Sequence, residues 1–363
     1  MSSAENKKIK ILVVGDFASP VHEPAVFGAF ISLGEEAHKF STTSFFGGFL
    51  SRSPKAFLEV FKFLYYRIQN KFSFGPVIAR INNSLIREVR EVRPDLVFIY
   101  RGTHIRPGTL SAIKNTGAIV FGYSNDDPFG RNYPFYVWRN FKKSIFGYDH
   151  IFVYREKNVA DYRARGYENV SLLRSYYIKE RNFPISNLTR NAYTADSTFV
   201  GHYEDDGREE YIKAIIDSGI DFQLHGPEWE RSKYYELFKK KFGAIESLRD
   251  DYNLALNSAK IALVFLSRLN SDTYTRRCFE IPAAGTFMLA EYSDDLANLF
   301  GEDKEAAYFR NKEELIQKIK FYLEHDDLRK KIAKAGLERL LKDGHEVADR
   351  VREIIRIYNI VKR

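Results

Sequence analysis

Two series of short apolar runs, each run followed by an amphipathic helical pattern, constrain the fold of this chain most strongly. The first series begins at Lys8–Asp16 (KIKILVVGD), where a continuous apolar run ends in Gly-Asp, as is typical of a buried strand that enters a loop. The second begins at Ser197–His202 and continues through apolar runs at Phe222–His225 and Ile261–Phe265. Strands that alternate with helices predict parallel sheets covered by helices, and therefore an α/β protein.

The length of the chain predicts two domains, since 363 residues exceed what one hydrophobic core comfortably covers. A polar segment that contains Pro184 and lacks sustained periodicity separates the two series and predicts a linker. A long amphipathic helix at the C-terminal end needs a partner surface. We therefore expect an N-terminal domain over 1–180, a linker over 181–195, a C-terminal domain over 196–344 and a closing helix over 345–363.

The composition is typical of an intracellular globular protein. The single cysteine, Cys278, excludes an internal disulfide framework and fits a reducing compartment. The first apolar run is too short for a signal peptide, and no run reaches the roughly 18 apolar residues of a membrane span. The sequence contains no zinc-ligand cluster, no Asp-x-Asp pattern, no Walker loop and no recognised nucleic-acid module. We expect a cytoplasmic protein that uses neither a metal nor a cofactor and binds no nucleic acid.

One segment of the second half, Asp272–Leu296, carries the strongest chemical signal. Glu280 is followed five residues later by Gly285 and then by an apolar run, as expected for a helix whose small face packs closely on a strand. A carboxylate that accepts from two adjacent hydroxyls is the usual way in which a protein fixes a ribose. The alternative is that Glu280 pairs with Arg276 or Arg277 on its own helix, and that the glycine only permits close packing.

The spacing in this segment resembles that of a known family. Asp272 stands eight positions before Glu280, and IPAAG, ending at Gly285, follows. This arrangement resembles the donor-binding segment of the glycosyl-transferase group 1 superfamily, and the helices over 313–350 are similar to its spore-maturation-type branch. The resemblance covers roughly residues 195–350. It departs from the family at Asp272, which is one methylene shorter than the usual Glu, and at Gly15, which is all that remains of a glycine-rich loop.

The resemblance implies a fold and a function. The fold is GT-B, with two Rossmann-like domains facing across a cleft and a C-terminal helix that crosses back to the first domain. The function is that of a metal-independent, hexosyltransferase-like enzyme, which moves a sugar from a nucleotide-sugar donor to a cell-surface glycan or a lipid-linked acceptor. The C-terminal domain would bind the donor and the N-terminal domain the acceptor. The sequence leaves two alternatives open: an epimerase or phosphorylase acting on nucleotide sugars, and a non-catalytic protein that binds anionic lipid or polysaccharide.

The predicted donor site follows from the loops at the carboxyl ends of strands, where ligands bind in open α/β sheets. Arg276 or Arg277 would neutralise the leaving diphosphate, unless the loop instead forms a surface ion pair with Asp272. The acidic run that follows Gly201 and His202 leaves a cation site or a hinge open as alternatives to phosphate contact there. The predicted donor-binding residues are Gly201, His202, Gly226, Pro227, Asp272, Thr273, Tyr274, Arg276, Arg277, Glu280 and Gly285.

Five residues of the first half are candidates for the catalytic base. Asp126 and Asp127 follow a predicted strand and precede a proline, so they can take a proton from an acceptor hydroxyl or form an Asx turn. Asp16 and His22 follow the first strand and are the rival bases, with His104 as another.

A net charge of +8 and a basic, aromatic segment between Arg52 and Arg90 indicate an anionic partner. The predicted helix Lys55–Lys71 has one apolar face, formed by Phe57, Phe61, Leu64 and Ile68. The opposite face would dock at the inner surface of the plasma membrane through Lys55, Lys62, Phe63 and Tyr66. Alternatively, Phe63 and Tyr66 pack under a neighbouring loop.

Overall fold

The computed structural model describes residues 8–48, 57–130 and 133–363, which form two compact units. Unit 1 comprises the residues up to Arg174 together with Val347–Arg363, and unit 2 comprises Ser175–Glu346. Within the described ranges, no helix is both long and apolar enough to cross a membrane.

Unit 1 is a six-stranded parallel sheet with helices on its faces. Its strands are β1 (Lys10–Gly15), β2 (Glu36–Ser41), β3 (Leu96–Tyr100), β4 (Ile119–Ser124), β5 (His150–Val153) and β6 (Val170–Leu172), in the order β2-β1-β3-β4-β5-β6. Its helices are α1 (Glu23–Ser32), α2 (Phe57–Phe72), α3 (Pro76–Val92), α4 (Pro107–Lys114), α5 (Arg139–Ser144) and α6 (Glu156–Arg163).

The core of unit 1 explains this arrangement. Alternate residues of β1, Leu12 and Val14, enter the same apolar cluster as Val97 and Ile99 of β3. Helix α3 buries a stripe at helical spacing against this cluster, formed by Val77, Ile78, Ile81, Leu85 and Val89. Because the strands are buried on both faces, their sequences are continuously apolar, which is why the parallel sheet was predictable.

Unit 2 repeats the architecture with five parallel strands. They are β7 (Ala195–Val200), β8 (Phe222–His225), β9 (Ala259–Val264), β10 (Phe287–Glu291) and β11 (Ala307–Phe309), in the order β11-β10-β9-β7-β8. The helices are α7 (Arg208–Asp217), α8 (Tyr235–Phe242), α9 (Tyr252–Ser258), α10 (Arg277–Ala283), α11 (Asp294–Leu299), α12 (Lys312–Glu324) and α13 (Asp326–Lys342).

The last helix, α14 (Val347–Val361), belongs to unit 1 although it follows unit 2 in the chain. It packs against α1 and buries Val351, Ile354 and Tyr358. The predicted architecture of two Rossmann-like units, with a last helix that belongs to the first, is therefore confirmed.

The segment that was assigned to the linker packs on unit 2. The backbone amides of Phe183 and Ile185 donate to the side chains of Asn253 and Asn257 in α9, at 3.3 and 2.7 Å. The division between the compact units lies earlier, after Arg174. Backbone hydrogen bonds to side chains on a remote helix leave no periodic signal, so the sequence pattern shows only a polar, irregular stretch.

Candidate functional site

The candidate donor site of unit 2 lies where the strand order reverses. Strand β7 pairs with β8 on one side and with β9 on the other, so the loops that leave β7 and β9 run to opposite sides of the sheet. In open α/β sheets this switch point leaves a crevice at the carboxyl ends of the strands, where ligands bind. Gly201 follows β7, and the segment from Asp272 to Glu280 follows β9 and enters α10.

Two glycines hold the loops after β7 and β8 against each other. Gly226 has a φ of 137°, and a Cβ at this position would lie 2.0 Å from the carbonyl oxygen of Gly201. That oxygen accepts a hydrogen bond of 2.9 Å from the indole of Trp229, which is 1% exposed. The carbonyl of Pro227 accepts from the amide of Tyr203 at 3.0 Å. The loop after β8 thus makes a tight turn with a packed Trp229, which brings both loop backbones to the switch point.

Arg277 places its positive charge at this point. Its Nε donates to the carbonyl of Val200 at 2.6 Å, and its guanidinium lies 5.3 Å from the centre of the Phe199 ring. A Cβ on Gly201 would approach the guanidinium to 2.5 Å, so the glycine makes room for this side chain. Arg276 takes another direction and lies over the ring of Tyr176 at 4.9 Å. Of the two predicted phosphate ligands, Arg277 is therefore the one at the end of β7.

Glu280 lies one helical turn after Arg277 and is 8% exposed. Its Oε2 accepts a hydrogen bond of 2.7 Å from the hydroxyl of Tyr252, the first residue of α9. Burial, followed by the charge of Glu280, raises the pKa of Tyr252 well above its ordinary value, so the phenol stays a donor. The carboxylate is thus oriented by another helix rather than by an arginine on its own helix. Gly285 ends the turn after α10 with a φ of 73°.

The loop before α10 is fixed to its surroundings. Thr273 donates to Asp295 at 2.7 Å and accepts at its carbonyl from Ser293, the N-cap of α11. The amide of Asp272 donates to the carbonyl of Ser267 at 2.9 Å. Tyr274 is fully buried and packs edge-to-face on Phe279 at 5.6 Å, so its ring belongs to the core. The sequence signal for Tyr274 was its position in the motif, which does not show where the side chain points.

The acidic run after His202 is neutralised within the loop. The buried Arg208 pairs with Asp206 at 2.6 Å and with Glu204 at 3.4 Å. Burial opposes ionisation of Glu204, but hydrogen bonds from His202 and Ser267 and the charge of Arg208 lower its pKa to about 2. The described residues contain no cluster of three or more metal-ligating side chains. The loop therefore forms a self-paired ionic cluster, from which the half-exposed His202 projects.

In unit 1, the carboxylate of the predicted base Asp127 accepts hydrogen bonds from three groups of the protein. It is completely buried and accepts from the amide of Phe129 at 2.9 Å and from Asn158 and Lys157 at 3.0 Å each. This is the Asx-turn arrangement that the sequence left open. Asp126 pairs with Arg101 at 2.8 Å. Both carboxylates therefore have partners within the chain, and their role as bases stays a prediction.

The other predicted bases lie near a cavity of about 560 Å³, lined in part by Asp16, Arg101 and His104. His22 contacts the hydroxyl of Tyr100 through Nδ1 at 3.1 Å. Burial lowers the pKa of His104 to about 4, so this imidazole is neutral at physiological pH. Sequence reasoning missed Glu23, which lines the same cavity and is 2% exposed. In the sequence, Glu23 is an acidic residue seven positions after Gly-Asp, which is also typical of an ordinary helix start.

Comparison with known proteins agrees with the geometry. Residues 208–356 match the family described as glycosyl transferase-like. No curated protein matches the chain. A glycosyltransferase from Rickettsia africae has a similar structure, with a TM-score of 0.67 and 15% identity, over 98% of this chain and 99% of that one.

Two further solved structures are similar. The Anabaena protein Alr3699/HepE, solved in complex with UDP and glucose, has a TM-score of 0.62 and 11% identity over 97% of this chain and 100% of that one. A putative UDP-N-acetylglucosamine 2-epimerase from Listeria monocytogenes has a TM-score of 0.56 and 13% identity over 96% of this chain and 95% of that one. The spore-maturation-type branch stays a prediction. Residues 208–356 are therefore similar to the glycosyl transferase-like family, and the fold of the two units is that of GT-B proteins.

Proposed function

We propose that this protein transfers a hexosyl group from a nucleoside diphosphate sugar to a cell-surface glycan or a lipid-linked acceptor, without a metal. The observation that carries the proposal is the pairing of Arg277 and Glu280 on successive turns of α10, at the switch point of unit 2. A cation and an oriented carboxylate one helical turn apart match the diphosphate and the ribose of such a donor. The solved relative with bound UDP supports the choice of ligand class.

Each part of the donor has a proposed partner. Glu280, held by Tyr252, accepts from the two ribose hydroxyls. Arg277 neutralises the diphosphate and stabilises the charge that develops as it leaves, because a guanidinium is always charged and binds two phosphate oxygens at once. The Gly226–Pro227 turn lies against the base. In this scheme the described unit 2 residues bind the donor and unit 1 binds the acceptor.

The ribose assignment predicts the effect of Glu280→Gln. The affinity for UDP should fall roughly tenfold or more, because an amide replaces a charge-assisted hydrogen bond and presents a donor to the diol. Isothermal titration with UDP measures the change. Tyr252→Phe should give a smaller loss in the same direction, since the carboxylate stays but loses the donor that orients it.

Glu324→Gln is the matched control, because it removes one carboxylate from an exposed position near the end of α12. It should bind UDP as the parent does. Equal affinities of Glu280→Gln and the parent protein would end the ribose assignment while leaving the fold untouched.

An epimerase acting on nucleotide sugars is a second candidate, since the Listeria structure shares the fold. The two activities differ in their need for an acceptor. An epimerase converts its nucleotide sugar without a second substrate, whereas a transferase requires one for efficient release of nucleoside diphosphate. Rapid conversion of UDP-N-acetylglucosamine in the absence of any sugar acceptor would favour the epimerase.

A lipid surface is the second partner that we propose, and the packing of α2 favours a different face of this helix for the contact. Tyr66 packs edge-to-face on Phe46 at 6.2 Å, and Phe63 is half-buried with Arg67 over its ring at 5.0 Å. Lys62 is exposed, and Lys55 lies outside the described residues. The predicted outward aromatic face is therefore the covered one. The apolar stripe on the other face is exposed at Phe61, Leu64 and Ile68, by 58%, 47% and 47%.

Exposed apolar side chains beside basic ones fit the headgroup layer of an anionic membrane. This would place the protein at the inner face of the plasma membrane, where lipid-linked acceptors are held. The same surface would also serve a non-catalytic lipid-binding protein, which nucleotides would not protect from thermal unfolding.

The triple substitution Phe61→Ser, Leu64→Ser and Ile68→Ser tests this surface. Sedimentation with phosphatidylglycerol vesicles should fall roughly tenfold or more, since each apolar group withdrawn from the bilayer weakens binding by about 0.8 kcal/mol per CH₂. Leu341→Ser removes a leucine that is 57% exposed in unit 2 and should change nothing. Unchanged sedimentation of the triple variant would exclude this face.

A further inference from the structure

The cavity of about 560 Å³ in unit 1 lies at the switch point of the first sheet. Strand β1 pairs with β2 on one side and β3 on the other, and the cavity is lined by residues that follow β1 and β3. This is the position at which an open α/β sheet binds its ligand. Its polar lining includes Asp16, Glu23, Thr43, Asn70, Arg101 and His104.

Glu23 is the buried acid of this cavity. It is the first residue of α1 and is 2% exposed. Its Oε1 accepts a hydrogen bond of 3.2 Å from the amide of Asp16. Its Oε2 is buried, and no donor in the described part of the chain reaches it. A buried carboxylate oxygen without a partner is costly, so this atom is suited to meet a group that the protein itself does not supply.

Gly15 leaves space for the Glu23 side chain. A Cβ on Gly15 would lie 2.4 Å from both Cγ and Oε1 of Glu23. Gly15 therefore lets the carboxylate pass directly over the end of β1 and into the cavity. Its role here is to admit a side chain, which explains why a single glycine suffices where a phosphate-binding loop would need several.

The surroundings of Glu23 keep it close to its titration point. Burial, followed by the charge of Asp16, raises its pKa to about 7, against the effects of the Asp16 and Glu23 amides and of Arg101. Arg101 is itself paired with Asp126. His104, on the β3 side, is neutral because burial lowers its pKa to about 4. A carboxyl group poised near neutral pH can both accept and release a proton.

We propose that this cavity binds the sugar acceptor and that Glu23 is the catalytic base that takes the proton of its attacking hydroxyl. The inference rests on the proposed transferase function and names its acceptor subsite and base. A polar cavity with a carboxylate, hydroxyls and an amide fits a polyhydroxylated ligand. Glu23 is better placed than the residues that the sequence indicated, because Asp126 and Asp127 are paired and Asp16 accepts from the amide of Ala18 at 2.8 Å.

The step balances without a further reactant. The acceptor hydroxyl gives its proton to Oε2 of Glu23 as its oxygen bonds to the anomeric carbon of the donor. The bond from that carbon to the diphosphate oxygen breaks, and its electron pair leaves with the nucleoside diphosphate. Glu23 then returns the proton to solvent. No oxidation or reduction occurs.

Glu23→Gln tests the proposal, because glutamine keeps the shape and an acceptor for the Asp16 amide but cannot take a proton. With UDP-glucose as donor and a panel of monosaccharides and water as acceptors, release of UDP should fall roughly 100-fold or more. The rising limb of the pH–rate profile near neutrality should disappear. The variant should bind UDP with the same affinity as the parent protein. If the parent protein itself does not bind UDP, this result counts against the proposed donor site and not against Glu23.

Glu156→Gln is the matched control, since Glu156 also begins a helix of unit 1 but is exposed. It should keep the parent rate and pH profile. The carboxyl band in infrared difference spectra gives a second readout that needs no turnover. Loss of a protonated carboxyl signal between about pH 6 and pH 8 in the parent and its absence in Glu23→Gln support the proposal. A Glu23→Gln variant with the parent pH–rate profile, or a Glu23 carboxyl ionised throughout this range, overturns it.

Discussion

Gly226→Ala is expected to lower the free energy of unfolding of unit 2 by about 2–5 kcal/mol and to abolish nucleotide binding. Two costs combine: about 1–2 kcal/mol for an L side chain at positive φ, and about 1–3 kcal/mol for an overpacked contact. The φ is 137°, and the new Cβ would lie 2.0 Å from the oxygen and 2.4 Å from the carbon of the Gly201 carbonyl. Both are backbone atoms, which cannot swing away as a flexible side chain can.

The substitution should also disturb the neighbouring residues of the candidate donor site. Displacing the Gly201 carbonyl breaks its 2.9 Å bond from Trp229 and moves the backbone next to Arg277. Urea unfolding gives the stability change, and titration with UDP gives the change in binding.

Gly219→Ala separates the two costs, because Gly219 has a φ of 75° but nothing within 4 Å of the new Cβ. It should lose only about 1–2 kcal/mol and keep its affinity for UDP. If both alanine variants lose the same stability, the close approach of the two loops is not what makes position 226 a glycine.

In both units, a glycine at the switch point makes room for a charged side chain. Gly15 follows β1 and admits the Glu23 side chain, and Gly201 follows β7 and admits the Arg277 guanidinium. In each case a Cβ would lie within 2.5 Å of the charged side chain. The charge is negative in unit 1 and positive in unit 2. This difference suits the two proposed tasks, which are to take a proton from an acceptor and to neutralise a diphosphate.

The parts of this molecule that the sequence predicted are those set by local patterns. Continuous apolar strands indicated the parallel sheets, and the sequence placed Arg276 or Arg277 on the same helix as Glu280. Other features depend on distant segments. The role of Glu23 requires the amide of Asp16 and a cavity wall that includes Arg101 and His104, none of which leaves a mark in the sequence near α1.

The sequence could not decide which face of α2 is covered, for a related reason. Helical periodicity shows that Phe61, Leu64 and Ile68 share a stripe, but it does not show what covers the stripe. Both faces of this helix carry aromatic side chains. Phe46, from a short turn after β2, packs against Tyr66 and therefore covers that face.

Glu23 is also expected to reduce the stability of unit 1 as the pH rises from about 4.5 to about 7. Its pKa is raised from the ordinary 4.5 to about 7 in the folded chain, so between these values the folded state holds a proton that the unfolded state has lost. Stability therefore falls with rising pH across this window and levels off above pH 7. A separation of this size corresponds to about 3 kcal/mol.

Glu23→Gln removes this titration, and the variant should gain up to about 3 kcal/mol over the parent between about pH 4.5 and pH 8. Comparison with the variant is needed because His104 and His150, whose pKa values burial lowers to about 4, contribute stability of the opposite pH dependence in both proteins. Amide hydrogen exchange of β1 and β3, compared at the same pH, cancels the intrinsic exchange rates. Exchange profiles of parent and variant that stay parallel across the window would show that Glu23 ionises normally. A carboxylate that serves catalysis is expected to lower the stability of its own fold at the pH where it works, because activity and stability are commonly traded against each other. A purely structural carboxylate would instead be selected for the partners that stabilise it.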